Sequence, residues 1–131
     1  MILRIATTFV CLLVAAMLAG SSLAGGEDDF YRGVAEYRAR NYAEAVSWFN
    51  KAAEQGEADA QFLLGRMYYD GNSISQDYVE AYKWFSIAAV NGVPVAPRYR
   101  DGIAESMSAE QIAEGAKRSV EWLEKFGHKN H

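Results

Sequence analysis

The chain has 131 residues, with 13 basic against 17 acidic side chains, two histidines and one cysteine. That length holds one small domain. An acidic chain without a basic stripe lacks the cations that neutralise a phosphate backbone, which excludes nucleic acid as the expected partner.

Residues 1–24 have the pattern of an export signal. Arg4 supplies the positive start, Ile5 to Leu18 an apolar core broken only by Thr7 and Thr8, and Ser22 and Ala24 the small residues that a signal peptidase reads. The apolar stretch is shorter than the ~20 residues a membrane-spanning helix needs, so cleavage is expected rather than an uncleaved anchor or any membrane insertion afterwards. Cys11 lies inside the apolar core, away from the position of a lipoprotein anchor. The expected mature chain, Gly25 to His131, carries 12 basic and 17 acidic residues and no cysteine. Export without disulfides leaves its stability to helix packing and places it in the periplasm, or outside the cell.

Two segments of the mature chain repeat. Asn41 to Gly56 and Asp77 to Gly92 share Tyr, Glu, Ala, Trp, Phe, an Ala-Ala pair and a closing Gly, with Trp48 and Trp84 36 residues apart. A period of this size marks stacked supersecondary units. Unit one spans about 28–56. Asp28 or Asp29 caps its first helix, which carries Phe30, Gly33, Val34 and Tyr37. Phe30, Gly33 and Tyr37 return as Phe62, Gly65 and Tyr69 at an offset of 32, so the connecting turn of unit one is four residues shorter.

Unit two spans about 57–92. Ala60, Leu64, Met67 and Tyr68 form one face of its first helix, with Asp59 at the positive end of the dipole. Gly71 ends that helix in the left-handed conformation, and Ile74 tucks inward from the turn. Asp77 caps the second helix with Glu80 three residues on. Ala81, Trp84, Phe85, Ala88 and Ala89 form its stripe, and Gly92 stops it.

The terminal unit, about 93–127, is degenerate. Pro97 fits only the first turn of a helix that runs to about Glu105. Ser108 and Gln111 make a capping box for a last helix with Ile112, Ala116, Val120 and Leu123 along one face and Trp122 beside it; Gly127 ends it, and 128–131 is a tail. Neither helix of a pair buries its stripe alone, so each pair docks on the next, the Ala-Ala pairs and Gly65 allowing close approach and Trp48 and Trp84 filling the space between layers.

Ala60-Gln-Phe-Leu-Leu-Gly-Arg-Met-Tyr68 with Gly71, Ile74, Asp77, Ala81, Trp84, Ala88-Ala89 and Gly92 resembles the Sel-one-like repeat, a relative of the tetratricopeptide repeat; residues 29–56 are similar to a shorter unit of that kind. Ser73 and Arg40 stand where the pattern prefers Gly, so both turns are expected to be strained or rearranged. The resemblance implies an all-α fold: a short right-handed α-solenoid of antiparallel helix pairs, with the first helices lining a concave face. It also implies an adaptor or scaffold that binds a protein or peptide. The penicillin-binding members carry a cysteine pair in each repeat, which this chain lacks.

The residues hold no Gly-rich phosphate loop, no Gly-x-Ser-x-Gly elbow and no His-Glu-x-x-His, and an enzyme is not expected. His128 and His131 are read as a solvated tail rather than a metal pair, and no cofactor or metal is expected. By the tetratricopeptide analogy Asp59, Phe62, Arg66 and Tyr69 of unit two, with Phe30 and Tyr37 of unit one, point into the concave groove, with packing between units as the alternative for Phe62 and Tyr69 and the core for Tyr37. Arg98 and Arg100 either extend its positive lining or are solvated. The expected function is an exported, monomeric adaptor. An immunity- or inhibitor-type protein for one cognate toxin or enzyme is the alternative, and a cell-wall enzyme the third.

Overall fold

The computed structural model describes residues 25–127; the expected export signal at 1–24 and the tail at 128–131, with His128 and His131, lie outside the described residues. Among the described residues there are six helices and no strand: α1 Gly25–Arg38, α2 Tyr42–Glu54, α3 Ala58–Asp70, α4 Tyr78–Val90, α5 Ala96–Ala104 and α6 Ala109–Phe126. Each helix packs on the next through α4, which then meets both α5 and α6. The result is an all-α solenoid of successive helix pairs.

The local signals act as their chemistry requires. Asp77 Oδ1 accepts the Glu80 N–H at 3.0 Å and starts α4. At α6 both halves of the capping box form: Ser108 Oγ accepts the Gln111 N–H at 3.1 Å, and Gln111 Oε1 accepts the Ser108 N–H at 2.9 Å. Gly71 ends α3 at φ 66°, and Pro97 sits in the first turn of α5. Arg40 takes φ 64° in the short turn of unit one, a conformation that costs a side-chain-bearing residue about 1–2 kcal/mol. Ser73 takes no left-handed φ, so its turn carries no strain of that kind.

A glycine under a ring joins the helices of each of the first two pairs. A Cβ on Gly33 would lie 2.5 Å from the Phe49 ring, and one on Gly65 would lie 2.7 Å from Phe85. Two apolar clusters result. Ala45, Phe49, Ala52, Ala53, Leu64, Trp84 and Trp122 belong to the first, with Ile74 packed against it. Ala81, Phe85 and Ile103 form the second, with Phe62 and Tyr99 against them. Gln61 is fully buried, and its amide is satisfied: Nε2 donates to the Ala53 carbonyl at 3.1 Å, and Oε1 accepts from Asn91 at 2.7 Å.

Three expectations need correction. Asp28 and Asp29 cap nothing, because α1 is already helical at Gly25; Asp29 instead accepts a hydrogen bond from Gln55 at 2.7 Å. Trp84 is buried and meets the Trp122 ring edge at 5.5 Å, whereas Trp48 is only partly buried, with the cations of Arg32 and Lys51 over its ring. The aromatic that covers Trp84 comes from α6, the closing helix, so the two tryptophans share a sequence position but not a neighbour. On α6 the buried face is Gly115, Ser119 and Trp122, and Val120 is 54% exposed. Gly115 lets the helix lie directly on Tyr82, where a Cβ would come within 2.8 Å, so the small residues set the contact face rather than the larger apolar ones. Gly127 ends α6 as expected, in a right-handed conformation at φ −61°.

Candidate interaction face

Two grooves open along the face made by the first helices of the units. The larger, about 410 Å³, lies between α3 and α5 and is lined by Tyr69, Val95, Arg98, Tyr99, Gly102 and Ile103. The smaller, about 220 Å³, lies between α1 and α3 and is lined by Tyr37, Leu63, Arg66, Met67, Asp70 and the turn residues Asn72 and Ser73. Arg66, Tyr69 and Asp70 on the last turns of α3 form the ridge that divides them.

The ridge is held by aromatic and charged contacts. The Arg66 guanidinium lies 3.8 Å from Asp70 and 5.7 Å from the centre of the Tyr99 ring. Tyr69 stacks on Tyr78 with ring centres 5.9 Å apart, yet keeps 36% of its surface exposed. Tyr99 is fixed from below by Phe62, edge-on at 5.3 Å, and by Phe85 at 5.4 Å.

Of the six residues expected to face a partner, three line these grooves: Arg66, Tyr69 and Tyr37, the last 39% exposed and edge-on to Tyr42 rather than in the core. Phe62 and Phe30 do not. Phe62 packs between Phe85 and Tyr99, and Phe30 packs on Phe49 at 5.8 Å. Asp59 is exposed at the opposite end of α3, beside Glu57, whose carboxyl is pushed up by burial and by the charges of Asp59 and Glu27. Arg98 lines the larger groove, while Arg100 pairs with Asp101 at 3.0 Å. Val95, Tyr99, Gly102 and Ile103 escape the repeat-based reading because the third unit has lost the repeat; the signal available was Tyr99 between two arginines just after Pro97. Among the described residues no three His, Cys, Asp or Glu side chains converge to hold a metal ion.

Stacked helix pairs, joined by a glycine under a ring and grooved along one face, define an α-solenoid of the interaction-repeat class. Residues 30–57 and 58–93 each match the Sel1 repeat, and the chain is a Sel1-repeat protein. It is similar to an exopolysaccharide production negative regulator of Rhizobium leguminosarum bv. viciae, 36% identical over 75 residues that cover 56% of this chain and 28% of that one. A protein of the same description from Rhizobium meliloti (strain 1021) is 33% identical over 64 residues, covering 49% of this chain and 24% of its own length. The chain thus spans about a quarter of the length of these relatives. A crystal structure of a protective antigen present in uropathogenic Escherichia coli strains, displaying an SLR fold, superposes with a TM-score of 0.71 at 29% identity, over 79% of this chain and 23% of that one.

Proposed function

We propose that this protein is an exported adaptor that holds a protein segment along the face of its first helices, the concave face of the solenoid. The observation that carries this reading is the pair of grooves on either side of the Arg66–Tyr69 ridge, lined by exposed tyrosines and arginines, the residue types enriched at protein interfaces. The export-signal pattern of residues 1–24 supports a place in the bacterial envelope. The names of the two rhizobial relatives favour a partner engaged in control of exopolysaccharide production, a reading that rests on the shared repeats alone.

The double change Arg66→Ala with Tyr69→Ala tests the face. Arg66 is exposed and Tyr69 is partly buried against Tyr78, so the double change should cost about 1–2 kcal/mol of stability and leave the protein folded. Capture of the partner from envelope extract should fall about thirtyfold, the effect of losing a contact worth about 2 kcal/mol. Undiminished capture would move the site to the outer faces of the second helices. N-terminal sequencing of the exported protein should find Gly25; a retained Met1 would make the protein membrane-anchored.

A further inference from the structure

Glycine inside a helix is destabilising relative to alanine, so each instance has a reason to be sought. For Gly33, Gly65 and Gly115 the reason is a ring: a Cβ would stand 2.5–2.8 Å from Phe49, Phe85 or Tyr82. For Gly26 it is the Gln55 Cβ, at 3.1 Å. Gly102 in α5 differs. A Cβ there would meet nothing within 4 Å, and its φ is not left-handed. Neither packing within the described residues nor backbone geometry calls for glycine at this position. It does, however, form part of the wall of the larger groove.

We infer that this groove seats an apolar side chain carried by an acidic protein segment, whose backbone passes close over Gly102 and whose carboxylate meets Arg98. The inference rests on the first-helix face being the binding face and names what that face takes. The seat is apolar because Val95, 46% exposed, and Tyr69, Tyr99 and Ile103 make its walls. The segment is acidic because Arg98 is the charged residue in the lining and has no acidic partner among the described residues, while its neighbours Arg66 and Arg100 are matched by Asp70 and Asp101. A chain segment fits better than a small molecule. The groove is open at its rim, where Tyr69 and Val95 are exposed, and a second groove lies beyond the Arg66 ridge for the chain to continue into.

The test uses random dodecapeptides displayed on phage and selected on the purified full-length protein, followed by fluorescence-anisotropy titration of one enriched synthetic peptide. Enriched peptides should place an aromatic or branched apolar residue near Asp or Glu. Gly102→Leu should weaken binding at least tenfold with an unchanged or higher melting midpoint, since leucine is the better helix former and its side chain would project into the empty groove. Arg98→Glu should weaken it comparably and should turn the preference toward a peptide whose acids are replaced by lysine. The inference is overturned if no peptide is enriched, if the enriched peptides lack acids, or if Gly102→Leu binds as tightly as the parent. A third variant in the smaller groove, Tyr37→Ala with Arg66→Ala, separates the two claims. Loss of binding there, with Gly102→Leu and Arg98→Glu intact, leaves the first-helix face standing and removes the seat; equal binding by all three removes both.

Discussion

Glu57 lies at the turn into α3, partly buried and close to the carboxylates of Asp59 and Glu27, and these influences raise its pKa above the ordinary carboxylate value. Because the folded-state pKa exceeds the unfolded one, the folded chain binds this proton more tightly. The stabilising contribution of the protonated form is complete below the unfolded pKa and is lost as pH rises through the folded one. At neutral pH the ionised Glu57 therefore weakens the fold, and Glu57→Gln should raise the melting temperature at pH 7. Melts repeated toward about pH 4 should show that gain shrinking, because the wild-type carboxyl is then largely protonated. A constant gain at both pH values would assign the effect to something other than charge. Arg40 and Gln61 make the same scale visible in other ways. The first takes a left-handed turn without being glycine, and the second ties the end of α2 to the end of α4 through one amide. Arg40 was legible as a departure from the repeat pattern. Gln61 was not, because a glutamine inside a helix reads equally as a surface residue until its neighbours are placed.

Among the elements, α6 has the most to do and was the least well read. Its start was legible because the capping box is a contact between residues three apart. Its buried face was not, since that face depends on where Tyr82 lies. Arg118 on α6 reaches Glu80 of α4 at 2.8 Å and Glu114 of its own helix at 2.8 Å, while Lys83 holds the other Glu80 oxygen at 3.2 Å. The hydrogen bond from Arg118 holds the Glu114 carboxyl below its usual value, so that contribution is lost as acid protonates Glu114 through its depressed pKa. Ser108→Ala removes the cap and should cost about 1 kcal/mol, within the usual range of about 0.5–2, measured by chemical denaturation. An unchanged midpoint would mean that the packing of Trp122 and Gly115 fixes α6 without help from its first turn.

At the scale of the whole molecule, the stack is closed unequally at its two ends. Trp84 lies inside, under Trp122, whereas Trp48 occupies the matching position in unit one and is only partly buried, with Arg32 and Lys51 over its ring. Trp84→Ala should cost about 3–5 kcal/mol, the range for deleting a large buried aromatic, from a total of roughly 5–15 kcal/mol for a domain of this kind. Trp48→Ala should cost only about 1–2 kcal/mol, from partial burial and its cation–ring contacts. Equal losses in denaturant titrations of the two variants would show that Trp48 is as buried as its counterpart and that the stack continues over unit one.

The repeat, the helix pairs, the caps at Asp77 and Ser108, the left-handed turn at Gly71 and the Gly65 contact were all decided by the sequence alone. Each depends on residues within a turn of one another or on a period that the chain writes twice. The division of the six expected face residues came only with the tertiary structure, which sends Arg66, Tyr69 and Tyr37 to the grooves and turns Phe62 and Phe30 inward. So did the contribution of α5 to the larger groove. Helical periodicity gives the angle of a side chain about its own axis but not the neighbour it meets. Where the repeat decays after Gly92, no second copy of the pattern supplies that neighbour, and the packing of α5 and α6 on α4 decides it.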